Sequence, residues 1–273
     1  MTFTQRLRNI QSKTNSLLCI GLDVDIDKIP PHLLSLENPV LEFNRQIIDA
    51  THDLVCAYKP NLAFYEAMGK GGFTVLQETL KLIPKSILTI GDGKRGDIGN
   101  TAERYAKSLF DDFGFDSVTV NPYMGFDSVE PFLANREKGA FILALTSNAG
   151  SKDFQRLKVG IKPLYEKIVL AAKKWNSNQN VGLVVGATHP NELLRVRKIV
   201  PDMPILIPGI GKQSGNLNSS IRCGCDKHGQ LAVINASRSI IYASSGKDFA
   251  EAARIEAKKM VEKMRMTIEQ LNN

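Results

Sequence analysis

Chemistry is concentrated in one stretch, Asp92-Gly93-Lys94-Arg95-Gly96-Asp97, where two acids and a base are crowded among glycines. An apolar run from Ser86 to Ile90 precedes it and reads as a buried strand, and the residues from Thr101 to Phe110 have helical spacing. The stretch therefore leaves a strand end, crosses a loop and enters a helix. Side chains two apart on a strand point the same way, so Asp92 and Lys94 face one site while Asp97 lies in the loop beyond. Charges fixed at such a place suit electrostatic work on a reacting group. By spacing alone, D-x-K-x-x-D fits a solvated surface turn equally well.

The elements that must position these side chains alternate along the whole chain. Apolar runs extend from Leu17 to Asp23, Leu54 to Asn61, Ser86 to Asp92, Asp116 to Asn121, Ala140 to Ser147, Val181 to Ala187, Pro204 to Pro208 and Leu231 to Ala236. Between them the spacing predicts helices over about 39–51, 75–83, 101–110, 127–137 and 162–175, one starting near Pro190, and a last one over about 247–271. The segment from Gly211 to Gly229, rich in Ser, Asn and Gly, predicts a long loop with at most a short helix. Near-continuous apolar runs are what a parallel sheet covered on both faces requires. Eight of them fit a (β/α)8 TIM barrel, as a single domain over residues 1–273. A doubly wound open sheet is the alternative, but no G-x-G-x-x-G follows the first strand.

With 273 residues, 43% hydrophobic and 23% charged, the composition is that of an ordinary globular protein. No apolar run approaches a membrane span, and the first residues lack a signal-peptide core; the expected location is cytoplasmic, with no membrane partner. The net charge of +7 would suit nucleic acid or a phosphorylated small molecule. The basic residues are dispersed, without interleaved aromatics, so no nucleic-acid partner is expected. Cys19 and Cys56 fall in apolar runs; Cys223-Gly224-Cys225, with His228 near, lacks the further ligands of a metal pattern.

In such barrels the active site forms at the C-terminal strand ends. Those ends carry Asp23, Lys59, Asp92 with Lys94, Asn121, Ser147, Pro208 with Gln213, and Ser237 with Arg238. Singly, each admits a cap or surface-pair reading; together they converge on one rim. After the seventh run, Pro208-Gly209-Ile210-Gly211-Lys212-Gln213-Ser214-Gly215 offers backbone N–H groups, and after the eighth Arg238 offers a guanidinium. Loops at those two places commonly bind phosphate, and arginine clamps an anion with two parallel hydrogen bonds.

The stretch from Asp92 to Thr101 resembles the signature of the orotidine 5′-phosphate decarboxylase family in its longer bacterial form. So do Gly21-Leu22-Asp23, the segment from Tyr58 to Glu66, Thr146-Ser147-Asn148, the segment from Val185 to Pro190, Pro208-Gly209-Ile210-Gly211 and Ser237-Arg238. The resemblance implies a barrel that works as a homodimer without metal or cofactor. It implies that Lys94 protonates C6 of the pyrimidine, that Asp92 sits against the substrate carboxylate, and that Lys59 holds the charge array. Asp97 would enter the partner subunit's site, with Ile98 and Thr101 beside it. Asp23 would bind the ribose, Ser147 the pyrimidine, and Gln213 with Arg238 the phosphate, Pro208 and Ser237 lying alongside. Two departures stand out: Gly-Lys-Gln-Ser-Gly in the loop after the seventh strand, and the Cys223-Cys225 segment.

Two other classes compete. Sugar-phosphate lyases of the same barrel group use a magnesium-stabilised enediolate, but they need an acid where this chain has Lys59, and a cation there repels magnesium. A non-catalytic nucleotide-phosphate binder could share the scaffold, yet it has no use for like charges facing a carboxylate.

Overall fold

The computed structural model describes residues 1–210 and 216–272. Its strands are β1 (Leu18–Leu22), β2 (Ala57–Pro60), β3 (Leu88–Arg95), β4 (Ser117–Val120), β5 (Gly139–Leu145), β6 (Lys158–Val159), β7 (Lys162–Pro163), β8 (Val181–Val185), β9 (Ile205–Pro208) and β10 (Ala232–Ala236). All but β6 and β7 are parallel neighbours in a closed barrel, in the order β1-β10-β9-β8-β5-β4-β3-β2. The TIM barrel read from eight apolar runs is what forms. Every residue of β1, β2, β8 and β10 is buried, because the helices cover the outer face and side chains fill the inside.

Two-residue periodicity stacks the interior in layers. Cys19, Ala57, Leu88, Ile90, Phe141, Val184, Leu206 and Val233 form one apolar cluster with Phe3 and Leu7. One step further along the same strands stand Gly21, Lys59, Asp92 and Asn235, so an apolar floor lies beneath a polar top.

The floor is closed by a helix, Phe3–Thr14, that the spacing argument does not anticipate. Its start was legible: Thr2 accepts from the Gln5 backbone N–H while the Gln5 side chain accepts from Thr2, a reciprocal capping box. Phe3 then meets Phe141 edge-on at 5.8 Å.

Two other expectations change. The predicted helix over 127–137 is only Phe126–Val129 followed by a 3₁₀ turn, Glu130–Phe132. Pro131 has no N–H to give and its ring collides with the preceding turn, which ends the α-helix. The helix predicted from Lys162 begins at Leu164, because Lys162 and Pro163 pair instead with Lys158 and Val159 in a small hairpin. In the segment predicted as a long loop with a short helix, whose residues 211–215 lie outside the described residues, Leu217–Gly224 is that short helix; its first turn is capped by Asn216, whose side chain accepts from the Ser219 N–H.

Candidate active site

The charged side chains arrive from adjacent strands in matched register. Gly21 pairs with Lys59 across β1 and β2, and Asn61 bridges to Asp92. Asp23, just past β1, Lys59 on β2 and Asp92 on β3 therefore stand side by side. Lys59 Nζ lies 2.6 Å from Asp92 Oδ2 and 3.9 Å from Asp23 Oδ1; Lys94 Nζ lies 2.6 Å from Asp92 Oδ1. Acid, base, acid, base run in a row with no net charge. That arrangement offsets the desolvation of burying them.

The electrostatics follow from the row. Burial alone would depress the Lys59 ammonium, but Asp92 and Asp23 outweigh it and hold its pKa above the ordinary lysine value. Burial alone would likewise raise Asp92, yet the Lys59 and Lys94 ammonium groups hold its carboxyl well below the usual carboxylate range.

Lys94 reaches Asp92 by a different route from simple alternation. Its φ is +46°, and the β3–β4 register breaks between Gly91 and Arg95. A left-handed backbone costs a lysine about 1–2 kcal/mol, so the local structure must hold it there. Thr119 on β4, which the spacing argument passes over, supplies part of that hold. Its Oγ1 accepts from the Lys94 backbone N–H at 2.9 Å and donates to Asp92 Oδ1 at 2.9 Å.

At the opposite lip, Ser237 donates to Asp23 Oδ2 at 2.8 Å and to the Gly21 carbonyl at 3.1 Å. The approach needs glycine at position 21: a Cβ there would stand 2.9 Å from Ser237 Cβ. Asp23 Oδ1 and Ser239 Oγ are buried with no hydrogen-bond partner among the described residues. A cavity of about 170 Å³ opens among Asp23, Lys59, Asp92, Pro208, Ser237 and Arg238, with Asn61, Asn235 and Ser239 also on its wall. These last three were not singled out from the sequence; the two-residue step from Lys59 to Asn61 and from Asn235 to Ser237 was the available signal.

The other expected site residues lie elsewhere or outside the described residues. Asp97 accepts from the Ile98 N–H at 2.8 Å; Ile98 is 56% exposed, and Thr101, in the helix Gly99–Lys107, is also exposed. None of the three lines the cavity. Ser147 follows β5 and packs against Gly186, where a Cβ would come within 2.9 Å of its backbone nitrogen. Asn121, grouped with the rim from its strand-end position, does not line the cavity; its side chain accepts from the Tyr123 N–H. Gln213 lies outside the described residues. Cys225 is buried and Cys223 half-buried, both as free thiols.

Residues 16–254 match the sequence model of the Orotidine 5′-phosphate decarboxylase / HUMPS family. A Dehalococcoides mccartyi protein named orotidine 5′-phosphate decarboxylase is 52% identical over 264 residues, covering 95% of this chain and 96% of its own. Among solved structures, Leishmania donovani OMP decarboxylase superposes with a TM-score of 0.84 at 38% identity, over 97% of this chain and 100% of that one. Leishmania donovani UMP synthase gives 0.87 at 39% identity, over 98% of this chain but only 57% of its own length.

Proposed function

This chain belongs to the orotidine 5′-phosphate decarboxylase / HUMPS family, and from that premise we propose that it converts orotidine 5′-phosphate to UMP and CO2, in the making of pyrimidine nucleotides. The observation that carries the reading within the family is the row Asp23–Lys59–Asp92–Lys94. A lyase that shares a metal between those carboxylates needs that space for a cation and its ligands; here the Lys59 ammonium occupies it, 3% exposed.

The chemistry is simple in outline. The bond between C6 and its carboxylate breaks, the electron pair stays on C6, and CO2 departs. No neighbouring group takes up that pair, so a fixed ammonium must meet the charge as it develops. Lys94 serves as that group and then transfers a proton to C6, regaining one from solvent. Asp92, kept ionised between two ammonium groups, faces the substrate carboxylate, and their repulsion is relieved as CO2 leaves. Contacts remote from C6 supply the binding energy that offsets this repulsion.

Asp23 Oδ1, a buried acceptor without a donor among the described residues, suits a ribose hydroxyl. Arg238, with the Ser239 hydroxyl beside it, suits the phosphate; Pro208 borders that end, the family resemblance assigns Gln213 to the phosphate as well, and Ser147 meets the pyrimidine. The enzyme acts as a cytoplasmic homodimer in which Asp97, Ile98 and Thr101 serve the partner's site. In support, Ile98 and the nearby Tyr123, Met124 and Phe126 present apolar surface to solvent, as an interface would.

The deciding experiment follows absorbance as the purified protein meets orotidine 5′-phosphate with EDTA present throughout. Rapid formation of UMP is expected. Folded protein that forms none would overturn the proposal, and sugar phosphates with magnesium become the next substrates to try.

A further inference from the structure

We infer that Thr119 is a positioning residue for the reaction, fixing Lys94 and Asp92 relative to one another through a single hydroxyl. This rests on the decarboxylase reading above. Thr119 lies on β4 between Val118 and Val120 and is 1% exposed. A valine would fill the same volume in that apolar setting, whereas a buried hydroxyl is costly unless it is hydrogen-bonded. Here it is bonded twice, and the polarity of both bonds is fixed by the partners. The Lys94 backbone N–H can only donate and the ionised Asp92 carboxylate can only accept, so the hydroxyl accepts from the first and donates to the second, each at 2.9 Å.

The two contacts act on one geometry. Lys94 has a left-handed backbone at φ +46° where the β3–β4 register breaks, and the Thr119 oxygen holds the amide of that residue. Asp92 Oδ1, which accepts the hydrogen bond from Thr119, is also the atom 2.6 Å from Lys94 Nζ. Both the root of the Lys94 side chain and the anion at its tip are therefore tied to the same hydroxyl. Removing it frees Lys94 to relax toward ordinary extended backbone and lets the Asp92 carboxylate turn. Either movement displaces the ammonium from C6, and a displacement of about 1 Å can cost about a hundredfold in rate. Thr119 does not line the cavity, so its loss should leave ground-state binding almost untouched.

The test compares Thr119→Val and Thr119→Ser with the unmodified enzyme, measuring kcat and KM for orotidine 5′-phosphate, UMP affinity by calorimetry, and thermal unfolding. Thr119→Val should lower kcat by about tenfold to a hundredfold, with KM and UMP affinity changed by less than about threefold, and Thr119→Ser should restore most of kcat. A valine variant with normal kcat overturns the inference. So does a serine variant as impaired as the valine one, which would assign the effect to packing, or a loss confined to KM or matched by unfolding at the assay temperature. Absence of turnover by the unmodified enzyme is a separate result: it would overturn the decarboxylase reading itself.

Discussion

Lys59 and Asp92 form an ion pair of 2.6 Å between side chains that are 4% and 10% exposed, at the centre of a row whose outer members reach solvent. Breaking a buried pair from one side leaves the other charge without compensation, at a cost of about 3 kcal/mol or more. Because Lys94 still pairs with Asp92, Lys59→Met should lose less than that, about 1–3 kcal/mol of stability, and Lys59→Met with Asp92→Leu should recover part of it while staying inactive. Urea unfolding of the two proteins decides the matter; a single variant as stable as the parent contradicts the pairing.

Lys94 is placed quite differently, with its side chain 48% exposed. Lys94→Ala should reduce turnover by at least about a hundredfold while thermal unfolding hardly shifts. Collapse of the fold together with activity would assign this lysine to structure instead of chemistry.

Asp92 and Lys59 also set a pH window. The Asp92 carboxyl is depressed on folding, so its contribution to stability is complete above the unfolded carboxylate value of about 4 and is lost as pH falls through the lower folded value. Lys59 is raised, so its contribution is complete below about 10.4 and is lost as pH climbs through the folded value. Carboxyl-carbon NMR should find Asp92 still ionised at about pH 4. A signal titrating above that pH would show that the two lysines do not govern it.

Arg238→Ala should weaken orotidine 5′-phosphate binding by about tenfold to a hundredfold, with a much smaller change in kcat. Inhibition by inorganic phosphate should weaken in parallel. An unchanged KM removes Arg238 from the phosphate end.

Asp97 offers a test of assembly. If it serves the partner's site, Lys94→Ala and Asp97→Asn proteins, each inactive alone, should regain activity when unfolded and refolded together, since a mixed dimer holds one intact site. A mixture as inactive as its parts would return Asp97 to its own subunit or to none.

How much of this was legible in the residue order depends on distance along the chain. Strand ends and their charges were readable because burial on both faces leaves long apolar runs, and Asp23, Lys59 and Asp92 each close one. The capping box at Thr2 was equally visible, but no periodic signal tied that helix to the barrel floor. Lys94 was grouped correctly with Asp92 for an incomplete reason: alternation does not describe a residue at φ +46°. Thr119 could not stand out, since a β-branched residue in a buried strand is what packing alone would select. Its partners, 25 and 27 positions away, become neighbours only when β3 and β4 pair.

The Ser237–Asp23 hydrogen bond joins positions 214 apart, where β10 meets β1. That seam joins the first and last strands of the ring, and the charged row and the arginine lip stand on its two sides. A nucleotide bound as proposed would span the join like a clasp. A working site between those two sides then requires that β10 be paired with β1. An occupied enzyme should also come apart more slowly than an empty one, with UMP lengthening the amide-exchange lifetimes of β1 and β10 above those of strands across the ring.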